Sequence, residues 1–133
     1  MITILVFDEN LREENFQMTK LTSASIDIIS IYRSQNGNPV NLNHKIKTMI
    51  KYGKPQLVIG DFNYSQSTSN PTKKYLEGTK FESLIHEPTH IDGNVLDQAY
   101  LQDVERKLIV TNCLHYKYYT DHKAIGLIIK QRI

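Results

Sequence analysis

Apolar residues fall along this chain in short bursts separated by polar stretches. Two bursts, Met1 to Phe7 and Ile26 to Tyr32, are rich in Ile, Val and Leu, the second with almost no polar interruption. That composition predicts core strands buried on both faces. Between them "DENLREENFQMTKLTSAS" carries few hydrophobes and reads as an irregular loop or a partly paired strand. After the turn-forming "SQNGNP", residues 41 to 52 set Leu42, Ile46, Met49 and Ile50 at helical spacing, with lysines at 45, 47 and 51. This predicts an amphipathic helix with a basic outer face. "PQLVIG" follows as a buried strand and "SQSTSNPT" as a loop, where Pro71 and Thr72 start a second helix expected to run through Phe81, Leu84 and Ile85 and to end before Pro88. The remainder, "NVLDQAYL", "RKLIVTNCLHY" and "AIGLIIK", reads as three strands parted by polar turns. Strands at both ends with helices between them indicate a layered α/β architecture, and with no repeat, low-complexity tract or linker, one domain over residues 1–133 is expected.

Composition narrows the picture little. A chain of 133 residues with 40% hydrophobic and 23% charged residues can bury one core. A net charge of +2 is too small to announce a nucleic-acid binder, although it permits a phosphate ligand. The single cysteine, Cys113, excludes an internal disulfide framework and reads as a small buried hydrophobe in a reducing compartment. The longest apolar runs fall far short of the roughly 20 residues that span a bilayer. The start lacks the charged, apolar and small-residue succession of a secretory signal, so an intracellular location, nuclear or cytoplasmic, is expected and Asn63-Tyr64-Ser65 is a coincidental glycosylation triplet.

Four stretches could carry chemistry. In "GDFN", Asp61 and Asn63 follow a buried strand, where α/β proteins tend to place ligands; Gly, Asp and Asn are equally the residues of a plain strand-ending turn. In "YYTDHKAIGLII", Asp121 and His122 precede a buried strand; a histidine there moves a proton near neutral pH if another group fixes its tautomer, and otherwise the pair is a solvated loop. Asp97 interrupts the apolar "GNVLDQAYL", where a carboxylate needs a partner, His122 being the best placed, unless alternation turns it to solvent. Tyr32 and Arg33 end a buried strand and can both donate to phosphate oxygens, or serve as a strand-end aromatic and a surface charge. "HEPTH", residues 86 to 90, fits the zinc-protease expression H-E-x-x-H, but that site requires a helix and Pro88 breaks one at a cost of roughly 3 kcal/mol or more. Pro88 therefore argues against a zinc peptidase.

The order of these signals carries more than any one of them: "IYR", "GDFN", "THIDGNVLD", then "TDH" before the last strand. It resembles the C-terminal part of the endonuclease/exonuclease/phosphatase superfamily, the Mg²⁺-dependent phosphodiesterases that include DNase I and apurinic-site endonucleases. "EPTHIDGNVLDQAYL" with "IYRSQNGN" looks most like the endonuclease domain of non-LTR (LINE-type) retrotransposons, over nearly the whole chain from about residue 26. The resemblance implies a DNase I-like four-layer α/β sandwich, two packed mixed β-sheets flanked by helices, with its N-terminal part missing. It implies that Asp61 positions or activates the attacking water, that Asn63 helps hold the scissile phosphate, and that Asp97 orients His122. His122 would contact the phosphate and assist proton movement, Asp121 would lie at the metal or its water shell, and Tyr32 would donate to the phosphate or the departing oxygen. Arg33 is a further phosphate-binding candidate, and the implied cofactor is Mg²⁺ or Mn²⁺.

The departures from the family also have consequences. Its N-terminal half carries an Asn-containing first strand and a Glu that is the principal metal ligand, and Glu9, Glu13 and Glu14 stand in no matching context. Mg²⁺ is held by few carboxylates, so that loss is expected to impair metal binding and leave activity weak or absent. Thr120 stands where a Ser commonly precedes the DH pair, a milder change. Half a sandwich would also bare apolar strand faces and an edge, which implies self-association or a complementing N-terminal half. The leading reading is a metal-dependent DNA endonuclease-like domain of retrotransposon origin acting on the phosphodiester backbone, with no membrane partner. Its alternatives are a non-catalytic nucleic-acid-binding remnant, a transposon fossil without a role, and a phosphatase of the same superfamily.

Overall fold

The structure, a computed structural model, describes residues 6–64, 70–85, 96–118 and 123–133. Its centre is a six-stranded mixed sheet. In spatial order the strands are β1 (Val6–Glu13), β2 (Phe16–Thr22), β3 (Asp27–Arg33), β4 (Gln56–Asp61), β6 (Asp97–Gln102) and β5 (Glu82–Ser83). Among the described strands only β3 and β4 run parallel, and the helix α1 (Pro39–Met49) makes the crossover between them. The helix α2 (Pro71–Gly78) follows β4, and a separate antiparallel pair, β7 (Leu108–Tyr118) with β8 (Lys123–Gln131), forms a second sheet.

Alternation along the strands divides the apolar residues between two cores. Met18, Ile29, Ile31, Val58 and Tyr100 face the helices and pack with Leu42, Ile46, Met49 and Leu76. Ile28, Leu57, Ile59, Ala99 and Leu101 face the other way and meet Leu108, Val110, Leu127 and Ile129 of the second sheet. The result is a helix layer, a large sheet and a small sheet, with apolar strands covered on both faces as a near-continuous run requires. The expected second sheet is thus present as two antiparallel strands among the described residues.

Three expectations need correction. The polar stretch after residue 7 is a regular hairpin: β1 and β2 pair from Val6↔Thr22 to Glu13↔Phe16, with one register shift between Phe7 and Glu9. Phe16, Met18 and Lys20 point to the helix side, and because Lys20 is one of them the apolar alternation is cut short in sequence. The first helix starts at Pro39 rather than 41, with Asn38 accepting from the Val40 and Asn41 amides, and ends at Met49. The second stops at Gly78. There Lys80 takes a left-handed conformation (φ 69°) while the Lys80 and Phe81 amides reach back to Glu77 O (3.4 Å) and Leu76 O (3.0 Å), a Schellman ending that folds Phe81 onto Leu76. Phe81 then joins the helix-side core and Ile85 the other, which one continuous helix could not do.

Candidate functional site

The polar residues after the buried strand β4 follow from its backbone. Gly60 (φ 153°) lies against β3 so closely that a Cβ would sit 1.8 Å from the Ile31 carbonyl oxygen. Only glycine permits this approach. Asp61 ends the strand and its Oδ1 accepts from the Asn63 amide at 2.9 Å, while Asn63 is left-handed with φ 53°. Between them Phe62 is fully buried, its ring edge-on to Tyr100 at 5.8 Å, and Tyr64 is buried with its hydroxyl 3.2 Å from Thr72 Oγ1. Asp61 and Asn63 stay half-buried at the mouth. The segment is therefore a well-formed turn, anchored by two aromatic rings, that holds a carboxylate and a carboxamide in fixed places.

Strand register then brings distant residues together. Tyr32 pairs with Asp61 across β3 and β4, and Asp61 pairs with Asp97 across β4 and β6. All three lie on the sheet face that carries Ile28, Leu57, Ile59, Ala99 and Leu101, one residue beyond its apolar part. Tyr32 is 50% exposed and the two aspartates are half-buried. With neighbouring strands about 4.8 Å apart, the row spans about 10 Å, the size of a phosphate with its first shell of ligands. The same register extends the row through Gln17 to Arg12, both exposed. Asp61 and Asp97 thus stand directly opposite each other across β4 and β6, two carboxylates side by side at the strand ends.

Arg33 lies elsewhere. One residue on from Tyr32, it points to the helix side and is 5% exposed. Its Nε donates to Phe62 O at 2.7 Å and its Nη1 to Gly37 O at 2.7 Å, with longer contacts of 3.4 Å to Gln35 O and Asn63 O. The guanidinium lies 3.9 Å over the Tyr64 ring. This is a different setting from the phosphate contact expected at the strand mouth. The remaining expected residues, Asp121 and His122, lie outside the described residues, as does the "HEPTH" stretch. Among the described residues no group of three or more His, Cys, Asp or Glu side chains is placed to hold a metal ion. Asp61 and Asp97 supply hard oxygens, the donor type that suits Mg²⁺ or Mn²⁺.

The opposite end of the sheet holds a buried charge cluster. Asp27, fully buried, receives Lys54 Nζ at 2.7 Å, Gln56 Nε2 at 2.9 Å and the Thr22 hydroxyl, with Lys20 Nζ 3.7 Å away. Burial pushes the Asp27 carboxyl up, but the hydrogen bonds from Lys54, Thr22 and Gln56 and the Lys54 charge outweigh it, and the net direction is down. Lys20, 2% exposed, also donates to Met49 O at 2.5 Å and so ties the end of α1 to β2. A cavity of about 460 Å³ lined by Tyr52, Lys54, Thr79, Gln102 and Lys107 opens at this end, away from the Tyr32–Asp61–Asp97 row.

Solved structures share this architecture. The chain superposes on the endonuclease domain of TRAS1, a telomere-specific non-LTR retrotransposon, with a TM-score of 0.61 over 95% of its length at 13% identity. It superposes on the cytolethal distending toxin of Haemophilus ducreyi at 0.59 over 98% and 15% identity, and on CdtB, the biologically active subunit of cytolethal distending toxin, at 0.53 over 96% and 13% identity. The TRAS1 domain and CdtB are DNase I-like, and this chain has the DNase I-like fold. It spans 67% of the TRAS1 domain, 58% of the Haemophilus toxin chain and 56% of CdtB. The sequence matches no family model and no curated protein.

Proposed function

We propose that this chain carries a phosphodiester-cleaving site of the DNase I-like kind, directed at the DNA backbone and of low activity by itself. The observation that carries the reading is the register row Tyr32–Asp61–Asp97, a phenol and two carboxylates side by side at one end of a sheet whose fold is nuclease-like. Phosphodiester hydrolysis needs an oriented nucleophile, relief of charge on the non-bridging oxygens and help for the leaving oxygen. Asp61, fixed by the Asn63 amide, orients the water, and Asn63 steadies the phosphate from the same turn. Asp97, one strand over, orients His122, which takes and returns the proton. Tyr32, half exposed, donates its hydroxyl to the phosphate or to the departing oxygen. A cation of the Mg²⁺ or Mn²⁺ type would be held at Asp121 and would supply charge neutralisation at the phosphate.

Supercoiled plasmid tests the reading, because a single cut converts it to nicked circle. The purified chain is incubated with Mg²⁺ or Mn²⁺ beside Asp61→Ala and His122→Ala. Slow nicking by the parent chain, absent from both folded variants and from a chelated control, is the expected result. Equal silence of all three folded proteins, or release of phosphate from a monoester with no nicking, would overturn it.

A further inference from the structure

Arg33 has no part in the row just described, yet its guanidinium reaches four backbone carbonyls beside it. We propose that Arg33 is a positioning residue: its guanidinium is the clamp that sets the conformation of the 61–64 turn and through it the placement of Asp61 and Asn63. The inference rests on the function proposed above. The turn leaves the β4 ladder at Phe62, so its carbonyls need partners other than strand neighbours. Arg33 supplies them for Phe62 and, at the longer distance, Asn63, while Gly37 O on the loop before α1 takes Nη1. The tie is reciprocal, since Asn63 Nδ2 donates to Arg33 O at 2.5 Å. Tyr64 forms the shelf under the guanidinium.

The loop before α1 is shaped to admit this side chain. A Cβ on Gly37 would stand 2.6 Å from Arg33 Cγ and 2.6 Å from the Phe16 ring, so a larger residue there would displace the arginine. Ser34 bonds the hairpin turn through its amide to Asn15 O (3.0 Å) and its hydroxyl to Asn15 Oδ1 (2.8 Å), which closes the second wall. A planar fork of fixed donors suits four carbonyls from two loops, Gln35 and Gly37 on one and Phe62 and Asn63 on the other; a lysine keeps the charge but not the fork.

Amide hydrogen exchange in Arg33→Lys and Tyr64→Leu, each read with its melting curve and with nicking kinetics, tests the clamp. The expected result is a loss of protection of about tenfold or more confined to residues 61–64, with β4 residues 57–59 unchanged. In nicking, kcat falls by more than KM rises, because Asp61 and Asn63 are misplaced together while Tyr32 keeps its place on β3. Wild-type protection at 61–64 in Arg33→Lys, or loss spread evenly over the sheet, overturns the proposal. So does a raised KM with kcat intact, the pattern of a phosphate ligand. If Arg33→Lys does not fold, Tyr64→Leu decides by the same criteria. If the parent chain does not nick, the nuclease reading fails while the exchange pattern still decides the clamp.

Discussion

At the scale of single residues, "GDFN" is a turn and a candidate site at once, and each letter has a separate physical reason. Gly60 is required by the close passage of β3. Gly60→Ala drives a methyl into the Ile31 carbonyl and is expected to cost roughly 3 kcal/mol, read as a lowered denaturant midpoint at unchanged slope. Phe62 anchors the turn in the helix-side core, and Phe62→Ala is expected to cost roughly 3–5 kcal/mol in the same measurement. Asp61 and Asn63 are the polar pair left at the mouth; because Asp61 Oδ1 accepts from the Asn63 amide and Asn63 Nδ2 donates to Arg33 O, their substitution by alanine should cost about 1 kcal/mol of stability each and remove nicking. Sequence alone named Asp61, Asn63, Asp97 and Tyr32 as site candidates, but it could not tell which way Arg33 points. Adjacent residues in a strand face opposite sides, and only the register of β3 with β4 and the bulk of Tyr64 fix that Tyr32 faces the row and Arg33 the core.

At the scale of elements, the buried strands and both helices could be read from periodicity, whereas their ends could not. Each helix begins at an Asn-Pro pair, Asn38-Pro39 and Asn70-Pro71, with the Asn side chain accepting from the first turn. The second helix ends at a left-handed Lys80, a residue with no propensity signal for that role, so Phe81 and Ile85 extended the apparent helical pattern. The β1–β2 hairpin was obscured because a buried lysine stands among its inward positions. That lysine belongs with Asp27, whose lowered pKa gives a pH signature. A depressed carboxylate contributes stability that is complete above its ordinary value of 3.8 and is lost as pH falls through the lower folded value. Stability of the parent chain should therefore decline below about pH 4, and Asp27→Asn should be less stable at neutral pH with a flatter acid limb in urea titrations at several pH values.

At the scale of the molecule, the recurrence of strand, helix and motif order was legible enough to indicate a DNase I-like architecture, which the superpositions share at 13–15% identity. At that identity what is common is the fold. The role of the row depends on whether three strands deliver Tyr32, Asp61 and Asp97 to one phosphate. The most direct measurement is single-turnover nicking of a defined duplex in Mn²⁺ by the parent chain and by Tyr32→Phe, Asp61→Asn and Asp97→Asn, each first shown to melt like the parent. A shared row predicts cleavage by the parent and a loss of about tenfold or more in every variant, with the double variant Asp61→Asn, Asp97→Asn no worse than the more damaged single. Cleavage at the parental rate by Asp61→Asn or Asp97→Asn would contradict it.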